Sequence, residues 1–184
     1  KQPMKKDTFI FDLDNTIYPV TSIGDKLFRD LFKTIEKDGG YKGDMEQIKK
    51  EIMRKPFQYV ARDFHFTNEL ETKGLNLLSD LTYKEPIQPF KDYFLAKKIE
   101  GLKFLVTKGF KKMQLSKIEK LGIQNDFREI FIIDPATSQL TKKEVFLEII
   151  SRYNLKKEKI LVIGDDIHSE IRAGKELGID TVVY

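Results

Sequence analysis

Hydrophobic and polar positions along this chain follow two rhythms. Short, continuously apolar runs occur at Phe9–Phe11, Leu102–Val106, Ile130–Ile133 and Ile160–Ile163, with a last strand-like run at Thr181–Tyr184. Such runs predict strands covered on both faces, as in a parallel sheet. Between the later runs the apolar positions recur at about 3.6 residues, predicting helices near 112–121, 144–153 and 169–177. Gly122 and Gly178 supply stops for the first and last of these. A short helix is expected around Tyr93 to Ile99.

The stretch between the first and second strands is different, because it is helical throughout. Ser22 can cap a helix carrying Ile23, Leu27, Phe28, Leu31, Phe32 and Ile35, which Gly39-Gly40 would end. Asp44, with Gln47 three residues on, predicts a capping box opening a helix with Met45, Ile48, Ile52 and Met53. Pro56 suits the first turn of a short helix running through Phe64, and Asn68 with Glu71 predicts another capping box. Pro86 and Pro89 mark the return to extended chain. The expected architecture is α/β, a doubly wound parallel sheet built from residues 1–17 and 87–184. A small all-helical domain over residues 18–86 interrupts it.

Composition narrows the class without naming a function. The chain has 184 residues, 40% of them hydrophobic, including 14 Phe and 7 Tyr, enough for a substantial core. No apolar run approaches the ~18 residues needed to cross a bilayer, so no membrane partner is expected. Lys1 to Lys6 lead straight into the first strand without the apolar segment of a secretory signal. Cysteine is absent, which excludes disulfides and thiolate chemistry and favours a cytoplasmic location. The net charge of +4 raises nucleic acid as a partner, but the lysines are scattered in doublets among acids, as on a solvated surface. No recognition motif or basic-aromatic stripe accompanies them, so no nucleic-acid role is expected. A monomer or homodimer is anticipated.

Chemistry collects where the strands end. The first run stops at Asp12-Leu13-Asp14-Asn15-Thr16, and extended geometry allows the two carboxylates to emerge on one side. A bound cation is the simplest reason to place two like charges together, and magnesium commonly takes one or two carboxylates. The second run ends in Thr107-Lys108-Gly109, the third in Asp134 and the fourth in Gly164-Asp165-Asp166. In open α/β sheets ligands bind beyond the carboxyl ends of the strands, so these residues describe a cation site beside an anion site.

Asp12-Leu13-Asp14-Asn15-Thr16, Thr107, a lysine at 142 or 143, and Gly164-Asp165-Asp166 resemble the four motifs of the haloacid dehalogenase (HAD) superfamily of phosphatases, in order and over essentially the whole chain. The helical insertion resembles the cap of one subclass. The resemblance implies a magnesium-dependent phosphomonoester hydrolase acting on a small phosphorylated metabolite. Asp12 would be the nucleophile that forms an aspartyl-phosphate. Asp14 would be the general acid/base, which requires a pKa above that of Asp12. Asn15 and Thr16 in the turn, with Thr107 and Lys108, would hold phosphate oxygens. Asp12, the Asp14 carbonyl oxygen and Asp165 would bind Mg2+.

A phosphate dianion ~4 Å from a carboxylate meets about 4 kcal/mol of repulsion per charge pair at an effective dielectric near 20. A second cation is therefore expected beside the metal. Lys142 is chosen over Lys143 for that role because it precedes Phe146 by four residues, an offset that resembles that of the family's lysine. Glu170 stands where many members have Asp, and Asp166 is either an outer acid or a helix cap. The two histidines, His65 and His168, are expected to have no catalytic part.

Asp14 also matters for the reaction type. Members that cleave haloalkanoic acids lack an acid there, so its presence favours phosphate esters. A phosphomutase and a catalytically silent binding module are the alternatives. The form of the first motif, Asp14 to Pro19, resembles nucleotidase-like and sugar-acid phosphatase members. The substrate expectation is accordingly a nucleoside 5'-monophosphate or a sugar phosphate. Phe57, Tyr59, Phe64 and Phe66 are expected either to stack on a base or to pack as core.

Overall fold

A computed structural model describes residues 4–184, so the opening residues 1–3 of the Lys1 to Lys6 stretch lie outside it. Five strands form one parallel sheet: β1 (Thr8–Phe11), β2 (Leu102–Lys108), β3 (Glu129–Ile133), β4 (Ile160–Gly164) and β5 (Asp180–Val183). Their order is β3-β2-β1-β4-β5, with β1 in the middle. The chain winds outward from β1 to β3, then returns to the other side of β1 for β4. A crevice therefore opens between the ends of β1 and β4. Registry is tight there, with Phe11 beside Leu105 on β2 and Ile163 on β4, and Asp12 N–H donating to the Ile163 carbonyl at 3.0 Å.

Side-chain alternation sorts the strands into two apolar layers. Ile10, Phe104, Val106, Ile160 and Val162 face α8 (Lys142–Arg152) and α9 (Glu170–Glu176), where Val145, Phe146, Ile149 and Ala173 cover them. Phe9, Phe11 and Leu105 face the opposite way, toward Met113, Ile118 and Leu121 of α7 (Lys111–Leu121). That second layer runs on without a break into the helical insertion, through Leu31, Ile35, Ile48 and Leu70. Both faces of β1 are covered, which explains why its sequence is apolar without alternation.

The insertion departs from the expected boundaries in three places. The single helix expected after Ser22 is a 3-10 turn at Val20–Ser22, then α1 (Gly24–Leu27), then α2 (Arg29–Asp38) after a break at Phe28. Ser22 Oγ donates to the Pro19 carbonyl at 2.7 Å and caps nothing. Asp44 does cap α3 (Met45–Ile52), accepting from Gln47 N–H at 2.9 Å, but the Gln47 side chain turns to Glu51, so the box is half made. Pro56 precedes α4 (Phe57–Asp63) instead of sitting in its first turn. The cap of α5 (Asn68–Asp80) is Thr67, whose hydroxyl accepts from Leu70 N–H at 3.2 Å; Asn68 lies one residue inside. Gly74 on α5 is required by packing, since a Cβ there would lie 2.3 Å from the Phe57 ring. Between the insertion and β2 lies the brief α6 (Tyr93–Ala96).

Candidate active site

Asp12 leaves the end of β1 as a buried carboxylate. Its Oδ1 accepts from Lys142 Nζ at 2.6 Å, and the same ammonium donates to Glu170 Oε2 at 2.8 Å. Lys142 is the first residue of α8, aimed at β1 by a capping box in which the Thr141 and Glu144 side chains bond each other's backbone N–H. One residue further round the helix, Lys143 pairs with Glu176 on the surface. Thr16 Oγ1 lies 3.3 Å from Asp12 Oδ2 and 3.4 Å from Asp165 Oδ1, so its one proton serves either acid.

Glu170 is buried and fully engaged. Its second oxygen accepts from Asp166 N–H at 2.8 Å, which fixes the turn that follows β4. The extra methylene relative to an aspartate fits because residue 164 is glycine; a Cβ there would come within 2.1 Å of Glu170 Oε1. Asp12, Asp165 and Glu170 each place a carboxylate oxygen within 4.8 Å of the others. Lys142 bonds two of the three, Asp12 and Glu170, and the cluster is a donor set of hard oxygens that suits a divalent cation such as magnesium. Glu170 holds a separate donor on each oxygen, whereas Oδ2 of Asp12 and Oδ1 of Asp165 share the single Thr16 proton.

Protein groups alone set an order of acidities opposite to the expected one. Burial pushes Asp12 up to about 8; Lys142 pulls against this while Glu170 pushes with it. Burial also lifts Asp165, with Glu170 adding to the effect. For Asp14 burial acts upward too, but the Lys117 ammonium, with hydrogen bonds from Lys117, Tyr18 and Gln114, outweighs it and leaves the carboxyl below its ordinary value. Lys142 is held protonated: burial works against its charge, and the attraction of Asp12 and Glu170 prevails.

The partners of Asp14 are the part of the site that sequence reasoning missed. Oδ1 accepts from Lys117 Nζ at 2.8 Å and from the Tyr18 hydroxyl at 2.5 Å, and Oδ2 from Gln114 Nε2 at 2.8 Å. Gln114 also donates to Thr107 Oγ1 at 2.7 Å. A signal was available, because Gln114 and Lys117 lie three residues apart on α7, next to Met113 and Ile118 of its buried face. Polar residues on an apolar helix face call for a partner inside.

The remaining expected residues divide. Thr107 is buried at the end of β2, and Lys108 lines the cavity above the site. Asn15 adopts a left-handed conformation (φ 56°), and its side chain accepts from Val20 N–H, so it braces the entry to the insertion. Thr16 N–H is spent on the Leu13 carbonyl, which removes one donor from the expected phosphate nest. Asp134 is a loop clamp, accepting from Lys111 and Ala136 N–H. Asp166 caps its own turn through His168 N–H, and both histidines are exposed.

Above these groups lies a cavity of about 190 Å3. The insertion supplies apolar walls through Phe28, Ile52, Met53 and Phe57, and α7 supplies Met113. Of the four aromatics considered for base stacking, only Phe57 lines it. Phe66 is packed behind Phe57 as core, and the Tyr59 ring is exposed beside Arg62.

Comparisons with known proteins bear on the family and the fold. Residues 6–178 match the haloacid dehalogenase-like hydrolase family. The glyceraldehyde 3-phosphate phosphatase of Methanopyrus kandleri is 23% identical over 193 residues, spanning 94% of this chain and 81% of the relative. Among solved structures, a haloacid dehalogenase-like family hydrolase from Streptococcus pneumoniae has a TM-score of 0.71 at 17% identity, over 97% of this chain and 84% of that one. YfnB of Bacillus subtilis, solved bound to magnesium, has a TM-score of 0.63 at 20% identity, over 97% and 86%. At these identities the two structures share the fold, and the family match carries the assignment: the chain belongs to the haloacid dehalogenase-like hydrolases.

Proposed function

We propose that the protein is a magnesium-dependent hydrolase of small phosphomonoesters, working through a covalent phosphate on Asp12. The observation that carries this reading is the pairing of Asp12 with Lys142 at 2.6 Å, at the floor of a cavity that Asp14 and Asp165 also line. A carboxylate is a poor nucleophile toward a dianion unless positive charge stands beside it. Lys142 supplies one such charge, oriented by Glu170. Mg2+, held by Asp12, Asp165 and the Asp14 carbonyl oxygen, would supply the rest and draw charge from the phosphate oxygens. The Thr107 hydroxyl accepts from Gln114, which leaves its own proton to donate to a phosphate oxygen.

Asp12 forms a bond to phosphorus as the ester oxygen leaves. Asp14 gives that oxygen a proton, then takes one from the water that frees Asp12. For the first transfer Asp14 must be protonated, whereas Lys117 favours its carboxylate in the free protein. The incoming phosphate brings negative charge beside Asp14, and this is the change that favours its acid form.

Residues 18–86 act as a cap domain and choose the substrate. Cavities for drug-sized ligands run to roughly 300–1,000 Å3, so a space of about 190 Å3 favours a compact ester. The name of the Methanopyrus relative, a phosphatase of a three-carbon phosphate, points the same way. The test is phosphate release from a panel of sugar, polyol and nucleoside phosphates with and without magnesium. Turnover of a compact ester only in the presence of the metal is expected. No release from any substrate by folded protein would leave a binding module.

A further inference from the structure

Lys117 is a buried cation that the reaction scheme above does not use, its side chain only 4% exposed. Burying an ammonium is costly unless a partner compensates, and here the partner is Asp14 at 2.8 Å. Holding α7 against the loop after β1 would by itself account for one salt bridge. The distribution of donors over the two oxygens asks for more. Lys117 and Tyr18 both donate to Oδ1, which satisfies it, since a carboxylate oxygen takes about two hydrogen bonds. Oδ2 receives one donor, Gln114, and keeps one direction open. The other proton of the Gln114 amide goes to Thr107, so a single side chain ties the Thr107 hydroxyl to the open oxygen of Asp14.

We propose that Lys117 is a positioning residue: with Tyr18 it occupies Oδ1 of Asp14 and so reserves Oδ2 for the reacting oxygen. This rests on the reading of Asp12 as nucleophile and Asp14 as acid/base. In the first half-reaction the Asp12–phosphorus bond forms, the ester P–O bond breaks, and the proton on Oδ2 passes to the departing oxygen. In the second, water attacks phosphorus, its proton passes to Oδ2, and the bond to Asp12 breaks. If Oδ1 were free, the carboxyl could turn and present its proton away from the substrate.

The test uses two esters that differ in their need for that proton. p-Nitrophenolate departs without protonation, whereas the alkoxide of glycerol 3-phosphate does not. Because both esters share the second half-reaction, the comparison is made on kcat/KM, which reads the first alone. Lys117→Met is expected to lower kcat/KM for glycerol 3-phosphate at least about 10-fold while lowering that for p-nitrophenyl phosphate less than about 3-fold. Equal losses of kcat/KM on both esters would overturn the proposal. Should Lys117→Met fail to fold, Tyr18→Phe keeps the ring and removes one donor from the same oxygen. The ratio of the two kcat/KM values should then move in the same direction, and an unchanged ratio counts against the proposal. Asp12→Asn in the same assay separates the two levels: turnover there sinks the reading of Asp12 as nucleophile, whereas an inactive Asp12→Asn with an unmoved ratio sinks only the role of Lys117.

Discussion

Lys142 sits 2.6 Å from Asp12 Oδ1 and 2.8 Å from Glu170 Oε2, so removing it leaves two buried acids facing each other. Taking one partner from a buried ion pair costs about 3–5 kcal/mol. Lys142→Met is therefore expected to lower the unfolding free energy by an amount of that order, measured by urea melts. It should also lower kcat by about 10²–10³-fold, the scale for losing one group that stabilises developing charge. Lys143→Met, which touches only Glu176 at the surface, should change neither beyond about 0.5 kcal/mol. At Gly164 the constraint is steric. Gly164→Ala drives a Cβ into Glu170 Oε1, and a loss of about 1–3 kcal/mol with disturbed activity is expected from calorimetry and assay.

At the scale of elements, α8 matters because its first turn carries Lys142. Thr141→Ala removes the N-cap and should cost about 1 kcal/mol. The reciprocal half of the box is titratable. The Thr141 N–H and hydroxyl hold the Glu144 carboxyl below its ordinary value of 4.5. A depressed folded-state pKa contributes stability above the unfolded value, and that contribution fades as pH falls through the folded one. The backbone N–H survives in Thr141→Ala, so the part of the Tm gap that the hydroxyl contributes through Glu144 should be present near neutrality and fade as pH falls below 4.5. A gap that widens with acid would contradict the box.

Elements of this kind show what was legible in the sequence. The strands were visible because full burial makes them continuously apolar, and Gly122 and Gly39 stopped α7 and α2 in left-handed conformations. The start of α5 was misplaced by one residue, because Thr67 and Asn68 are both competent caps and only the tertiary path chooses between them. Motif residues could be read as a set, since each follows a strand. Lys117 and Gln114 could not be paired with Asp14 from spacing, because about a hundred residues separate them and only the docking of α7 brings them together. The bracing of the Asn15–Thr16 turn, through the Asn15 side chain on Val20 N–H and the Thr16 N–H on the Leu13 carbonyl, is local detail that residue types alone do not announce.

For the whole molecule, three acids around one lysine predict that a divalent ion stabilises the fold. A ligand that binds only the native state adds RT ln(1 + [L]/Kd), about 2.7 kcal/mol at a hundredfold excess over Kd. Magnesium should raise Tm, chelation should reverse this, and Asp165→Asn should blunt it. Among the described residues no helix is long and apolar enough to cross a membrane. The continuous apolar layer linking the sheet to the helical insertion places the cavity walls and the loop of Asp12 and Asp14 on one packed body, with α7 contributing to both.

Asp12 as the atom donor to phosphorus is the claim on which this account stands. Mixing the protein with a turned-over phosphomonoester and magnesium, quenching in acid within one turnover and mapping the peptides by mass tests it directly. The account predicts the added mass of one phosphoryl group on the peptide containing Asp12, lost on longer incubation and missing in Asp12→Asn. Phosphate released at the wild-type rate with no label on that peptide, or undiminished release by Asp12→Asn, would contradict it.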